Sequence, residues 1–166
     1  MFHTKTYRWT VILFVFYFIM LTWIILFKLA LSPSDLPHLR TVNLIPLGDP
    51  LRVNGQADYG EVMQNLLAFV PFGIYLGLLL PGRPLALRLL PAVLTSLAYE
   101  CLQFVFMLGA SDVTDLLSNT LGALIGLGVY AIFRKLCGQK TATVLNVLAT
   151  LASAAMAALI VLMLMN

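Results

Sequence analysis

Trp9-Thr10-Val11-Ile12-Leu13-Phe14-Val15-Phe16-Tyr17-Phe18-Ile19-Met20-Leu21-Thr22-Trp23-Ile24-Ile25-Leu26-Phe27 runs through 19 positions without a charged side chain. A helix crosses the roughly 30 Å hydrocarbon core of a bilayer with about 20 mostly apolar residues. The stretch, extended to 9–31, therefore reads as a membrane helix. Lys5 and Arg8 precede it, as basic residues precede a signal peptide. The apolar run is too long for one, however, and no Ala-x-Ala site follows, so the helix is expected to be retained. The whole chain agrees: of 166 residues 61% are hydrophobic and 10% charged. A soluble domain has roughly 45–50% and about 25%. Too few polar side chains exist to cover a water-soluble globule, which excludes a cytosolic enzyme, a nucleic-acid binder and a disulfide-stapled secreted module. The length suits one domain over 1–166.

Four further apolar stretches follow, at about 62–80, 85–108, 116–133 and 143–165. The short connectors carry turn signals, among them Pro81-Gly82-Arg83-Pro84 and Cys137-Gly138-Gln139-Lys140. The expected fold is an all-α integral membrane protein of five transmembrane helices, with one long external loop over 32–61. Orientation follows from Lys and Arg, which favour the cytoplasmic side. Lys5, Arg8, Arg83, Arg88, Arg134, Lys135 and Lys140 fall on alternate ends with no acid among them. Asp35, Asp49, Asp58, Glu61, Asp112 and Asp115 fall on the others. The N-terminus is expected inside the cell membrane and the C-terminus outside. Cys101 and Cys137 lie too far apart in depth to pair, and His3 and His38 are isolated loop residues.

The long loop is rich in Pro and Asp, yet its middle, Val42-Asn43-Leu44-Ile45-Pro46-Leu47, is apolar. That segment is expected to fold back against the outer helix ends or to dip into the interface, because irregular backbone at depth needs protein or a watery cavity beside it. Three helices carry polar groups at this end. The second has Gln64 and Asn65, and the third has Glu100 and Gln103, spaced i and i+3 on one face. In the fourth, Asp112, Asp115 and Asn119 form one stripe that continues into Gly122 and Gly126. Counting back from Leu108 puts Glu100 on the order of 12 Å below the outer boundary. An ionised group at a helix centre costs about 2.5–3.5 kcal/mol on insertion scales and faces a cavity or a partner. Gln103 could donate one hydrogen bond to it, and a basic partner would come from Arg40, Arg52 or Lys28. Two readings of Glu100 stay open: a functional acid, or a structural one, tied to an Arg or sitting protonated, that holds the bundle together. Asp112 suits the N-terminus of the fourth helix, where carboxylates meet orphan N–H groups. Asp115 and Asn119 lie further in. Gly73-Ile74-Tyr75-Leu76-Gly77 and Gly122-Ala123-Leu124-Ile125-Gly126 permit close helix contact. Helices two, three and four are thus expected to press together on the inner side and to part around a polar pocket above, with Pro71 loosening the second helix between. The fifth, without a charge, is expected to face lipid.

Four segments in order resemble the VanZ-like family of membrane proteins: Asn43-Leu44-Ile45-Pro46; Asn65-Leu66-Leu67-Ala68-Phe69-Val70-Pro71-Phe72-Gly73; Glu100-Cys101-Leu102-Gln103; and Asp112 through Ala123. The resemblance covers about 43–130. In this family an Arg often precedes the first Asp of the last segment; here Gly109-Ala110-Ser111 stands there, so Arg52 or Arg40 would have to serve instead. The resemblance implies resistance to teicoplanin-type lipoglycopeptides and chemistry near a lipid head group or lipid-linked cell-wall precursor. As an enzyme, the protein would use Glu100 as general acid or base. Asp112 and Asp115 would orient a nucleophile or hold Mg²⁺ against phosphate. Asn43, Asn65, Gln103 and Asn119 would position substrate, and Arg52 would neutralise a phosphate. The alternative is a non-enzymatic binder whose acidic outer face captures an acyl-tailed antibiotic or a lipid. A channel is disfavoured, because the polar residues stop in the outer half. The sequence leaves ligand, metal and oligomeric state open.

Overall fold

The computed structural model describes residues 4–28, 40–46, 51–53 and 56–165, with backbone alone for Thr4, Arg40, 51–53, 56–58 and Leu164. Five helices carry the fold: α1 (Thr4–Phe27), α2 (Gly60–Leu79), α3 (Leu85–Phe106), α4 (Val113–Cys137) and α5 (Thr141–Met165). Four helical stretches are long and apolar enough to cross a membrane. They are Lys5–Phe27, Gly60–Leu79, Leu85–Phe106 and the 51-residue run Val113–Met163, in which α4 and α5 follow each other across a short 3₁₀ turn. The expected spans are thus recovered as helices with shifted ends, and the shifts have local causes. Lys28 turns to a left-handed φ of 47° and closes α1 short of the expected 31. Met107 does the same for α3 at 56°, with the Leu108 amide donating to the Gln103 carbonyl. Asp112 caps α4, which therefore begins at Val113, earlier than hydropathy marks it.

The long connector is not wholly irregular. Arg40–Asn43 forms β1, which pairs in parallel with β4 (Gly109–Asp112), while β2 (Leu51–Val53) pairs antiparallel with β3 (Gln56–Asp58). The fold-back expected of the apolar segment is made by backbone: Val42, Leu44 and Ile45 keep exposed side chains. The Pro-rich residues 29–39 and 47–50 lie outside the described set.

The helices alternate in direction. Ile25 near the end of α1 meets Gln103 near the end of α3, and α2 and α4 run side by side the same way. A Cβ added at Gly122 would strike the Leu66 carbonyl, one at Gly126 the Val70 carbonyl, one at Gly73 the Ala123 carbonyl, and one at Gly77 the Tyr130 ring. Three positions with no side chain thus bring the two backbones together, and Gly77 makes room for the Tyr130 ring, the small-residue contact expected from the sequence. An aromatic cluster fills the other side of α2: Phe14, Tyr17 and Phe18 of α1 against Phe69, Phe72 and Tyr75, with ring centroids 5.4 Å apart for Phe14 and Tyr75. Pro71 lies inside α2 without ending it. Tyr17 donates to the Ala68 carbonyl at 2.5 Å, in the turn where proline removes a backbone donor.

Beyond its first turns α5 leaves Leu148, Leu151, Leu159 and Leu162 exposed, a surface suited to lipid. Its anchor is Asn146, fully buried, which donates to Thr10 Oγ1 at 2.9 Å and to the Thr6 carbonyl at 3.3 Å. Asn146→Leu is expected to weaken the α1–α5 contact by about 1 kcal/mol, because Thr10 keeps its own bond to the Thr6 carbonyl. Thermal unfolding in detergent checks this, with Asn146→Gln expected to recover part of the loss.

Candidate functional site

The ends of α1 and α3 meet the starts of α2 and α4 at one pole of the bundle, and the hydrophilic side chains collect there. Asn65 on α2, Glu100 and Gln103 on α3, and Asp115 and Asn119 on α4 are all buried. Helix spacing explains why: Ser96, Glu100 and Gln103 recur at i, i+4 and i+7 along one face of α3, and Asp112, Asp115 and Asn119 at i, i+3 and i+7 from the cap of α4 into its first turns.

At the centre stands Glu100, 8% exposed. Its Oε2 accepts from the Asp112 amide at 2.9 Å, and its backbone carbonyl accepts from Ser111 Oγ at 2.8 Å. Both tethers come from the β4 strand, so the acid and the strand hold each other. Its other oxygen, Oε1, is buried without a hydrogen-bond partner among the described residues. Among the described residues, the donor that holds this carboxylate is the main-chain N–H of Asp112. The side chains of Arg52 and Arg40 lie outside the described set.

Asp112 engages both of its oxygens. Oδ1 accepts from the Thr114 amide at 2.7 Å, which caps α4, and Oδ2 accepts from Asn43 Nδ2 at 3.1 Å. Asn43 and Asp112 are direct partners in the β1–β4 register, and Asn43 Oδ1 takes the Ile45 amide at 3.0 Å. One asparagine thus fastens the connector to the start of α4. Asn43→Ala is expected to cost about 1 kcal/mol locally. Hydrogen exchange at β1 and Ile45 should accelerate several-fold while the helical amides stay protected.

Asp115, 7% exposed, takes a hydrogen bond from the Asn65 side chain and feels the charges of Glu61, Asp112 and Lys28. Lys28 Nζ meets Glu61 Oε1 at 2.6 Å, with both side chains partly exposed, above this group. Asn43, Asn65, Glu100, Asp112 and Asp115 thus lie together at one pole.

Gln103 and Asn119 have other partners. Gln103 Nε2 donates to the Ile25 carbonyl at 3.1 Å rather than to Glu100. That carbonyl is one of the last four of α1 and has no acceptor role within its own helix, so Gln103 completes the helix end. Asn119 is fully buried and donates to Ser96 Oγ at 2.9 Å, tying α4 to α3. The Oε1 of Gln103 and the Oδ1 of Asn119 are nonetheless buried and unpartnered among the described residues. Ser96, Ser111 and Thr114 were not singled out by sequence. Ser96 lies one turn from Glu100, and that spacing was the signal available for it.

Among the described residues no group of three or more His, Cys, Asp or Glu is placed to hold a metal ion. With both Asp112 oxygens engaged, the Asp112–Asp115 pair offers Mg²⁺ a poor cradle. What remains is a buried carboxyl with one oxygen fixed by an amide and the other unengaged, flanked by a second acid. Such a group can exchange a proton with a ligand, or accept a hydrogen bond from one.

Comparison with known proteins places this geometry in context. The family model described as VanZ/LLP1 matches residues 14–134. The chain is 31% identical over 130 residues to a protein of Enterococcus faecium named Protein VanZ, covering 77% of each chain. No solved structure matches.

Proposed function

This chain belongs to the VanZ/LLP1 family, and we propose on that footing that it is a five-pass plasma-membrane protein acting on a lipid head group or lipid-linked cell-wall precursor. Protection against teicoplanin-type antibiotics is the outcome we assign to it. Five passes follow from length. The run Val113–Met163, at about 1.5 Å per residue, exceeds twice a roughly 30 Å core, so the turn at Gly138–Lys140 divides it into two crossings. The basic residues near 5–8, 83–88 and 134–140 then lie in the cytoplasm, and the Glu100 pole faces outward.

The observation that carries the reading is the unpartnered Oε1 of Glu100, buried beside Asp115 and Asp112. A buried polar atom left unpaired costs about 1–3 kcal/mol, and a ligand supplying a donor removes that cost. Glu100 exchanges the proton in this reading, Asp115 with Asn65 orients the ligand, and Asn43 and Asp112 hold the connector over it. The concentration of acids at this pole also favours a second reading, stoichiometric capture of an amine-bearing, acyl-tailed antibiotic.

Expressing the chain in a teicoplanin-susceptible host separates the two. Turnover predicts reduced susceptibility together with a changed mass for a lipid or precursor species. Capture predicts reduced susceptibility with every mass unchanged and antibiotic retained by the purified protein. Unchanged susceptibility overturns both.

A further inference from the structure

The opposite pole of the bundle holds a second feature, remote from Glu100. An open groove of about 530 Å³ is lined by Pro81, Gly82, Arg88, Tyr130, Ala131, Arg134 and Gln139. Arg88 stands 12 residues before Glu100 on α3, about 18 Å along the helix, and Arg134 lies in the last turn of α4. Two arginines thus line one concavity bounded by α3, α4 and the turns at 81–82 and 138–140, together with Tyr130 and Gln139.

Charge arithmetic makes the groove unusual. Residues 62–99 and 116–166 contain no Asp or Glu, so neither arginine has a carboxylate on any neighbouring stretch of chain. Among the described residues the one ion pair, Lys28 with Glu61, is at the other pole. Arg134 Nη1 donates to the Gly138 carbonyl at 3.1 Å, a neutral partner. Arg88 Nε is buried and has no hydrogen-bond partner at all among the described residues. A basic residue that merely marks membrane orientation would extend its head into water. Here the Nε–H of the partly exposed Arg88 is withdrawn from water beside the groove, and burying such a donor is unfavourable unless an acceptor arrives.

We propose that this groove binds the phosphate of an anionic membrane lipid, with Arg88 and Arg134 as its two cationic arms. Phosphate suits the pair because a guanidinium fork presents parallel N–H donors to two of its oxygens. The groove opens at helix ends, where lipid head groups lie, and basic pockets between membrane helices take anionic head groups. Tyr130 and Gln139 supply a hydroxyl and an amide for the glycerol or alcohol portion. The site is independent of the chemistry assigned to Glu100.

The test uses the full chain in neutral detergent, with lipid retention read by native mass spectrometry and affinity by titration. The probes are dioctanoyl phosphatidylglycerol, dioctanoyl phosphatidylcholine and inorganic phosphate. One bound phosphatidylglycerol, at least tenfold preferred over phosphatidylcholine, is expected. Arg88→Gln and Arg134→Gln should each weaken it about tenfold or more, with Arg88→Lys intermediate. Unfolding midpoints recorded alongside identify a variant that fails to fold, in which case the other arginine variant decides. Equal retention of the two lipids overturns the proposal. So does binding of inorganic phosphate as tight as that of phosphatidylglycerol, which would make the free anion the occupant. Folded arginine variants that keep wild-type affinity overturn it as well.

Discussion

Gly126→Ala is expected to destabilise the protein by about 3 kcal/mol, the upper end of the ordinary cost of overpacking. At this position the new methyl group would strike the Val70 carbonyl and lie 3.0 Å from the Gly73 Cα and Ile74 amide nitrogen. These are backbone atoms of α2 and cannot rotate aside as a side chain could, so α2 and α4 must separate. Separation in turn loosens the buried Phe69, whose Cβ faces Gly122 across the same contact. A shift of that size corresponds to a fall of roughly 6–12 °C in the unfolding midpoint for a chain of this length. Gly126→Leu should exceed it and prevent accumulation of folded protein. Gly128, on the same helix two positions later, has nothing within 4 Å of its added Cβ. Gly128→Ala is therefore expected to stay within about 0.5 kcal/mol of the parent. Equal effects at 126 and 128 would mean that helix propensity, not close approach, governs these glycines.

Glu100 should give the largest functional effect, and two substitutions divide its roles. In Glu100→Gln the side-chain carbonyl oxygen can still accept the Asp112 amide, so β4 stays attached. The ability to take and return a proton is lost. Under the proposed chemistry, turnover falls by about 10²–10⁴-fold, the usual contribution of a general acid or base, at unchanged protein level and unfolding midpoint. Glu100→Ala removes the tether as well and leaves the Asp112 amide without its acceptor, so it should also lose about 1–3 kcal/mol of stability. Antibiotic protection measured for both, at matched membrane levels, separates the roles. Full protection by Glu100→Gln removes proton transfer from the account and leaves capture.

Periodicity and hydropathy made the helices legible, since 100° spacing and apolar runs are local properties. The α2–α4 contact was also readable, because glycine at i and i+4 has a direct steric meaning. What the sequence could not display were the long-range partners. Gln103 is spaced to reach Glu100, yet it serves the α1 terminus, whose position depends on how three helices pack. The buried Glu100 suggested an arginine as its donor; among the described residues its hydrogen bond comes from the Asp112 amide, on the strand that pairs with β1. That pairing joins segments about 70 positions apart, and no local pattern announces a four-residue strand beside a membrane helix. Asp112 was readable as a cap and is one, but its second bond, to Asn43, depends on the same strand pairing.

The parallel strand pair also sets an order of assembly. Arg40–Asn43 leaves the ribosome well before Gly109–Asp112 does. At about 5–20 residues per second, synthesis of the intervening chain takes roughly 3–14 s. During that interval the early strand has no mate, and Glu100 has no amide to hold it. The acidic pole therefore cannot close until Gly109–Asp112 has emerged, and a nascent chain halted before that point would hold Glu100 without its tether.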